Sequence, residues 1–246
     1  MSKIRHQSVA PTETRYLSPG DEVTPHKHDD HQLIYASAGV LEVFVEEGTW
    51  FAPAVRAVWV PGGMVHHWQV HGTTTVHMVS IPSAYVSTLG DEPVLVSVSP
   101  LVKELIIACA NHGVQKDNKA RRLLHVLGDQ LLASEHGQSM LPVFKDPRLI
   151  KIQKILEADM TRNLSLTELS RLAGASSRTM NRLFQSEAGM SFVTWRNQLR
   201  LHSATLMLAE GQSVTRVAND YGYSSPSAFI TSFRASFGST PGALYR

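Results

Sequence analysis

Histidine side chains form the first group of residues in this 246-residue chain that could carry chemistry. Eight of the 12 histidines lie at or before His77, and His26 and His28 are two positions apart. On a β-strand this spacing points both imidazoles to the same face of the sheet. Neutral imidazole is a common ligand of divalent transition metals, and it also makes hydrogen bonds in small-molecule pockets. The pattern therefore indicates a binding site in the first third of the chain.

The second group is a set of serines and arginines in an internal repeat near the end of the chain. Residues 165–184 and 213–233 each contain a capping serine, a short helical pattern, a glycine that ends it, a second serine and a second helical pattern. In the first copy, the second helix leaves a polar face outside: Ser177, Arg178, Asn181, Arg182 and Gln185. A surface helix of this kind is typical of proteins that read base edges in the DNA major groove.

The charge distribution favours a polyanionic partner. Residues 145–246 contain 13 Lys and Arg against 7 Asp and Glu, a balance of +6, whereas the preceding 144 residues have a balance of −4. Two copies of a helix-turn-helix pattern in a basic segment favour double-stranded DNA as the partner over an ordinary helical bundle with solvated arginines. We expect several arginines of this segment to neutralise phosphates and others to make contacts within the domain; the candidates are Arg178, Arg182, Arg196, Arg200, Arg216 and Arg234.

The histidine group lies in a segment with a β pattern. Short runs rich in Val, Ile and Tyr are separated by Gly and Pro, which is typical of a sandwich or a small barrel. The predicted strands are 32–36, 40–45, 57–60 and 74–81.

From Pro100 onward the pattern is helical. A leucine stripe between Leu123 and Leu132 could pack against the strands, mediate dimerisation, or do both. Asp146 before Pro147 predicts a helix over 148–159. Residues 191–209 predict a connecting helix of about 28 Å, comparable with the ~34 Å turn of DNA.

Composition excludes several classes of protein. Apolar residues make up 43% of the chain and charged residues 18%, which excludes a disordered or collagen-like protein. The sequence contains no apolar run of the roughly 18 to 20 residues that a membrane helix needs, and no secretory signal, so we expect a cytoplasmic protein. Cys109 is the single cysteine, which excludes an internal disulfide and a thiolate-rich zinc site.

Residues 146–246 resemble the DNA-binding domain of AraC/XylS-type bacterial transcription regulators. The most specific stretch runs from Val217 to Phe229 and continues through 233–246. The DNA-binding residues that this resemblance and the repeat indicate are Ser176, Ser177, Arg178, Asn181, Arg182, Gln185, Ser225, Pro226, Ser227, Thr231 and Arg234. The family often has Arg where this chain has Thr231, so we expect weaker base recognition by the second copy.

Residues 16–83 resemble the two motifs of the cupin family. In metal-binding cupins the matching residues hold one divalent metal; here they are His26, His28, Gln32 and His66. Gln32 stands where those cupins have Glu, and Val55 and Val70 also depart from the motif. An amide oxygen lacks the charge of a carboxylate, so these departures favour a metal-free effector pocket over a metal site.

Together the motifs resemble AraC-type regulators with an N-terminal cupin sensor domain. The resemblance implies an α+β fold with a cupin-like β-barrel at 1–98, a helical dimerisation and linker region at 99–144, and a DNA-binding domain with two helix-turn-helix modules at 145–246. We expect a homodimeric transcription regulator with a small-molecule effector, and RNA polymerase as a further partner. The alternatives are a metal-dependent cupin enzyme fused to a DNA-binding module and a DNA-architectural protein. Gln32 and the lack of a Ser-His-Asp or Cys-His constellation argue against an enzyme.

Overall fold

The computed structural model describes residues 4–85, 89–112, 118–137 and 140–245. Within these ranges twelve strands form two six-stranded sheets, ordered β1-β3-β8-β5-β6-β12 and β11-β10-β7-β4-β9-β2. The strands are β1 (Arg5–Gln7), β2 (Glu13–Leu17), β3 (Glu22–His28), β4 (His31–Ala36), β5 (Val40–Phe44), β6 (Gly48–Pro53), β7 (Arg56–Val60), β8 (His66–His71), β9 (Thr74–Ile81), β10 (Val94–Ser97), β11 (His136–Gly137) and β12 (Met140–Pro142).

The α+β class and the four predicted strands are confirmed, and the cupin-like barrel differs from the expectation in one detail, because its two sheets do not close. Among the described strands no hydrogen-bonded ladder joins the two sheets. Three of the four edge strands have only two or three residues, which leaves few backbone groups to bridge the gap. Large side chains from both sheets fill the space between them, including Trp50, Trp68 and Met78. The sheets therefore pack face to face as a sandwich.

Two helices cover the outer face of the second sheet. They are α1 (Pro100–His112) and α2 (Asn118–Ala133), and they pack on strands β4, β7 and β9. From the predicted leucine stripe, Leu127 and Leu131 are fully buried there, whereas Leu132 is exposed. The chain then adds β11 to one sheet and β12 to the other. The sequence did not predict these strands, because two or three residues are too few to display an alternating pattern.

Seven helices follow among the described residues. They are α3 (Pro147–Ala158), α4 (Leu166–Ala173), α5 (Ser177–Ala188), α6 (Phe192–Ala209), α7 (Val214–Asp220), α8 (Pro226–Phe237) and α9 (Pro241–Leu244). The predicted caps are present: Asp146 caps α3, and Ser165 with Glu168 forms a capping box on α4. Gly174 ends α4 with φ of +74°. None of the described helices is both long and apolar enough to cross a membrane.

These helices form two modules, which α6 connects. Helices α4 and α5 make the first module, whose core includes Phe144, Phe184 and Trp195. Helices α7 and α8 make the second module, built around Phe229 and Phe233. Each module is thus a helix pair that buries its own aromatic cluster and exposes the opposite face of its second helix.

The loop between β7 and β8 approaches the β3–β4 turn very closely. A Cβ on Gly62 would lie 2.1 Å from the backbone oxygen of Asp29. The Gly62 N–H donates to His31 Nδ1 at 3.1 Å, and the Gly63 N–H donates to the His28 oxygen at 2.7 Å. These contacts hold the loop that leads into His66.

We expect Gly62→Ala to lower the free energy of unfolding by about 3 kcal/mol, because the new methyl group overlaps backbone that cannot move independently. Gly63→Ala is the matched control: its φ is +82°, but a Cβ there meets nothing within 4 Å. The control should be destabilised by only about 1 to 2 kcal/mol, which is the cost of placing alanine in the left-handed region. Urea unfolding measures both variants, and equal losses would contradict the close-approach argument.

Candidate functional site

The structure brings the four residues of the predicted site together. His26 and His28 lie at the end of β3, and His66 begins the neighbouring strand β8, where it pairs with His26. Gln32 comes from β4 in the opposite sheet. The exposed fraction of the four residues is 5% for His26 and 0% for the others. The site is therefore a buried junction between the two sheets.

The ring nitrogens of the three histidines converge, and their hydrogen bonds indicate which nitrogen of each ring carries the proton. One ring nitrogen of each histidine lies within 4.8 Å of those of the other two. Each Nδ1 lies 2.7 to 3.0 Å from a backbone oxygen, contributed by Thr24, Asp30 and Met64. A carbonyl oxygen only accepts hydrogen bonds, so each Nδ1 carries the proton and each Nε2 keeps its lone pair. Such outer contacts are the ones that orient imidazoles around a metal.

Gln32 completes this set of acceptors. Its Oε1 lies 3.2 Å from Nε2 of both His28 and His66, and its Nε2 has no hydrogen-bond partner. Lone pairs that face one another without a donor repel, and a cation placed among them removes the repulsion. Turning the amide by 180° would instead direct its N–H donors at the imidazoles. The residues therefore fit a divalent ion, and they can also satisfy one another without it.

Burial favours the uncharged form of two of these imidazoles, those of His26 and His66. It lowers the pKa of His26, and it lowers the pKa of His66 to about 3, with repulsion from the neighbouring histidines acting in the same direction. A neutral imidazole is the form that binds a metal ion. At physiological pH these two side chains are thus ready to bind without losing a proton.

Several other histidines serve the structure. His31 stacks on Trp59, His67 stacks on Phe44, and His77 stacks on Tyr35. None of these three belongs to the group of histidines whose ring nitrogens converge. His67 follows His66 directly on β8 and so lies on the opposite face of the strand.

A buried polar contact that the sequence did not predict joins the sheets to α6. Glu42 of β5 accepts a hydrogen bond from Gln69 at 2.6 Å and pairs with His71 Nε2 at 2.7 Å. Its other oxygen faces His202 Nε2 of α6 at 4.0 Å, and the His202 ring lies against Phe51. Burial lowers the pKa of His202 well below its usual value. The only signal in the sequence was an acidic residue within an apolar strand pattern.

The predicted DNA-contacting residues separate into caps and exposed side chains. Ser176 and Ser225 accept the N–H groups that begin α5 and α8, and Pro226 occupies the first turn of α8. Ser177 bonds to Thr167 within the first module. The side chains that the structure leaves exposed are Arg178, Asn181, Arg182 and Gln185 on α5, and Ser227, Thr231 and Arg234 on α8.

The polar faces of α5 and α8 differ in chemistry. Arg182 and Asn181 can each make two parallel hydrogen bonds to one base, Arg to guanine and Asn to adenine. The Thr231 hydroxyl donates instead to the Ser227 oxygen of its own helix, at 2.9 Å. The first module therefore carries the stronger groups for base recognition.

Two of the candidate arginines lie away from the DNA-facing surface. Arg196 donates to the Leu164 oxygen at 3.1 Å and sits over the Phe192 ring. Arg200 is only 9% exposed and donates to the Arg162 oxygen. These two therefore belong to the arginines that make contacts within the domain, because their guanidinium groups bind backbone oxygens of the loop between α3 and α4.

Comparison with known proteins agrees with this architecture. The AraC-like ligand binding domain matches residues 13–141, and a helix-turn-helix domain matches residues 169–246. The HTH-type transcriptional regulator NimR of Escherichia coli K12 is 35% identical over 227 residues, which cover 90% of this chain and 82% of NimR. GlxA of Rhizobium meliloti is 35% identical over 101 residues, 41% of this chain and 31% of GlxA. A crystal structure of ToxT from Vibrio cholerae, 14% identical, has a TM-score of 0.41 with 96% of this chain and 97% of that chain covered.

One of these family models covers more than half of the chain, and NimR is similar over most of its length. The chain therefore belongs to the AraC family of transcription regulators, with an N-terminal ligand-binding domain and a C-terminal helix-turn-helix DNA-binding domain.

Proposed function

We propose that this regulator responds to a divalent transition-metal ion held by His26, His28, His66 and Gln32. The observation that carries the proposal is the convergence of one ring nitrogen from each of three buried histidines, with the amide oxygen of Gln32 3.2 Å from two of them. A bound ion supplies the positive charge on which these four acceptors converge. Imidazole nitrogens with one oxygen suit Zn²⁺, Ni²⁺, Co²⁺ or Fe²⁺ better than Mg²⁺ or Ca²⁺.

An organic effector is the competing occupant. In the sequence, the uncharged Gln32 in place of Glu favoured an organic effector over a metal ion. Against it stands the packing: Trp50, Trp68 and Met78 fill the space between the sheets, and the ring nitrogens lie within 4.8 Å of one another. That spacing suits a single ion better than a larger molecule.

Gln32 gives the site the reversibility that a sensor needs. A buried Glu would leave an uncompensated negative charge whenever the ion is absent. The amide is neutral and can turn its N–H groups to the imidazoles in the metal-free protein. The site with Gln32 consequently binds the ion less tightly than a site with Glu would. This lower affinity lets the fraction of protein with bound ion follow the ion concentration.

The C-terminal modules bind one DNA duplex together in this proposal. Helix α6 has 18 residues and is about 27 Å long, close to the ~34 Å that separates successive major grooves on one face. Arg182 and Asn181 recognise bases in one half of the site. The second module contributes mainly phosphate contacts through Arg234 and recognition of DNA shape.

The other roles expected from the sequence stay proposals. Homodimerisation through α2 is supported by Val126 and Leu132, whose exposed fractions are 45% and 44%. A cytoplasmic, non-catalytic role agrees with the regulators among the relatives. Contact with RNA polymerase stays a prediction.

We expect His28→Ala to abolish metal binding. At an ion concentration 100 times the dissociation constant, binding should stabilise the wild-type protein by about 2.7 kcal/mol, and the variant should gain none of it. His67→Ala is the matched control, because His67 stacks on Phe44 outside the site. Metal analysis and thermal unfolding with added Zn²⁺, Ni²⁺ or Co²⁺ measure the effect. If wild type neither contains metal nor gains stability from added ions, the organic effector becomes the better proposal.

We expect Gln32→Glu to bind metal at least about tenfold more tightly, since a carboxylate adds Coulomb attraction in a buried site. The same variant without metal should be less stable than wild type, because it buries a charge. Competition with a chelator measures the affinity, and urea unfolding measures the stability. Unchanged affinity would place the bound ion away from Gln32.

We expect Arg182→Ala to weaken DNA binding by about 1 to 3 kcal/mol and to relax base preference in one half of the site. Thr231→Ala should reduce the DNA affinity clearly less. A threonine hydroxyl donates a single hydrogen bond, and the Thr231 hydroxyl already donates to the Ser227 oxygen of its own helix. Selection from randomised duplexes, followed by titration of the selected sequence, measures both variants. A selected motif with equal information in its two halves would contradict this asymmetry.

A further inference from the structure

The two modules touch each other directly, in addition to their connection through α6. The loop between α3 and α4 lies beside the turn between α7 and α8. A Cβ on Gly222 in that turn would lie 3.0 Å from the Met160 oxygen and 3.1 Å from Nη2 of Arg200. We call this contact of Met160, Arg200 and Gly222 the intermodule seam.

Arg200 links three parts of the DNA-binding domain at the seam. It belongs to α6, its guanidinium donates to the Arg162 oxygen of the first-module loop, and it lies against the second-module turn at Gly222. Arg196, about one helical turn earlier, donates to the Leu164 oxygen of the same loop. Both side chains thus bind backbone oxygens that belong to the first module.

These guanidinium groups have no carboxylate partner. In the part of the chain that the structure describes, no ion pair within 4.0 Å includes Arg196 or Arg200. Burial lowers the pKa of both, and the pKa of Arg196 is lowered further by its repulsion from Arg200, yet guanidinium stays protonated. A buried cation without a counterion costs free energy, and an apolar side chain would avoid that cost. The seam therefore retains arginine for a reason other than stability.

Guanidinium provides geometry that an apolar side chain lacks. It is planar, its five N–H donors point in fixed directions, and it can hold a backbone oxygen on one side while packing against a turn on the other. Bound DNA adds a negative potential, which reduces the cost of the uncompensated charges. Closing the seam and binding DNA should consequently favour each other.

We propose that Arg200 is a positioning residue that sets the separation of α5 and α8 and thereby selects the spacing between the two half-sites in the DNA. It does so without touching DNA, as its burial requires. This inference rests on the proposal that both modules bind one duplex. Arg200 would then determine operator specificity at base pairs that no side chain contacts.

The test compares full-length wild type with Arg200→Met on three duplexes. One carries the sequence that wild type selects, and the others carry one or two extra base pairs between its halves. Each added pair shifts the second half by about 3.4 Å and turns it by about 35°, which a rigid pair of modules cannot follow. The DNA affinity of wild type should fall by at least about tenfold for each added base pair. The DNA affinity of Arg200→Met should fall by less than about threefold for each added base pair.

Arg182→Ala is the control for a direct contact. It should weaken binding to all three duplexes and keep the full penalty for added base pairs. Arg200→Lys keeps the charge without the planar fork and should behave as Arg200→Met does. A lysine variant with wild-type spacing selectivity would overturn the proposal in favour of charge alone.

Gly222→Ala perturbs the same seam from the second module. Its φ of +73° and its short distances to Met160 and Arg200 make a methyl group unfavourable there. Gly222→Ala replaces Arg200→Met in the test if Arg200→Met does not fold, which circular dichroism would show. Folded variants that keep the wild-type penalty would overturn the role of Arg200. A wild-type protein with no spacing penalty would instead overturn the binding of one duplex by both modules, and with it this inference.

Discussion

Helix α6 packs against neighbouring elements on almost every side, and the arrangement of the rest of the molecule depends on this packing. Its first half belongs to the core of the first module and its second half to the core of the second. The buried apolar residues are Phe192, Trp195, Leu199, Leu201, Ala204 and Leu208. A helix that buries residues on most of its faces cannot rotate or slide without breaking both cores. Both modules are therefore anchored to the same helix.

The polar residues of α6 lie where separate parts of the chain meet. Arg200 lies at the intermodule seam, Arg196 binds the loop between α3 and α4, and His202 faces Glu42 of the β-sandwich. Burying such groups lowers stability unless each finds a partner. The hydrogen bonds of Arg196 and Arg200 contribute direction, since they specify an orientation that apolar packing leaves freer.

Strand β8 connects the candidate effector site to α6. His66 begins the strand within the histidine cluster, and His71 ends it beside Glu42, about 17 Å away at ~3.3 Å per residue. The following turn at Gly72 also packs against α6, since a Cβ there would lie 2.7 Å from the Ala209 oxygen. The ligand-binding domain thus contacts α6 through the strand that supplies one of the candidate ligands.

The sequence by itself determined the features that short-range patterns encode. Caps such as Ser165 and Asp146 fixed the helix boundaries to within about a residue, and runs rich in Val, Ile and Tyr between Gly and Pro marked strands such as β9. The spacing of His26 and His28, with the family resemblance, indicated the candidate site. Tertiary structure alone decided what depends on distant partners. Examples are the open sandwich, the short strand β12, the burial of the Arg200 guanidinium, and the approach of Glu42 to a helix 160 residues further along the chain. A local pattern shows that a side chain is polar, but only the packed fold determines which group it meets.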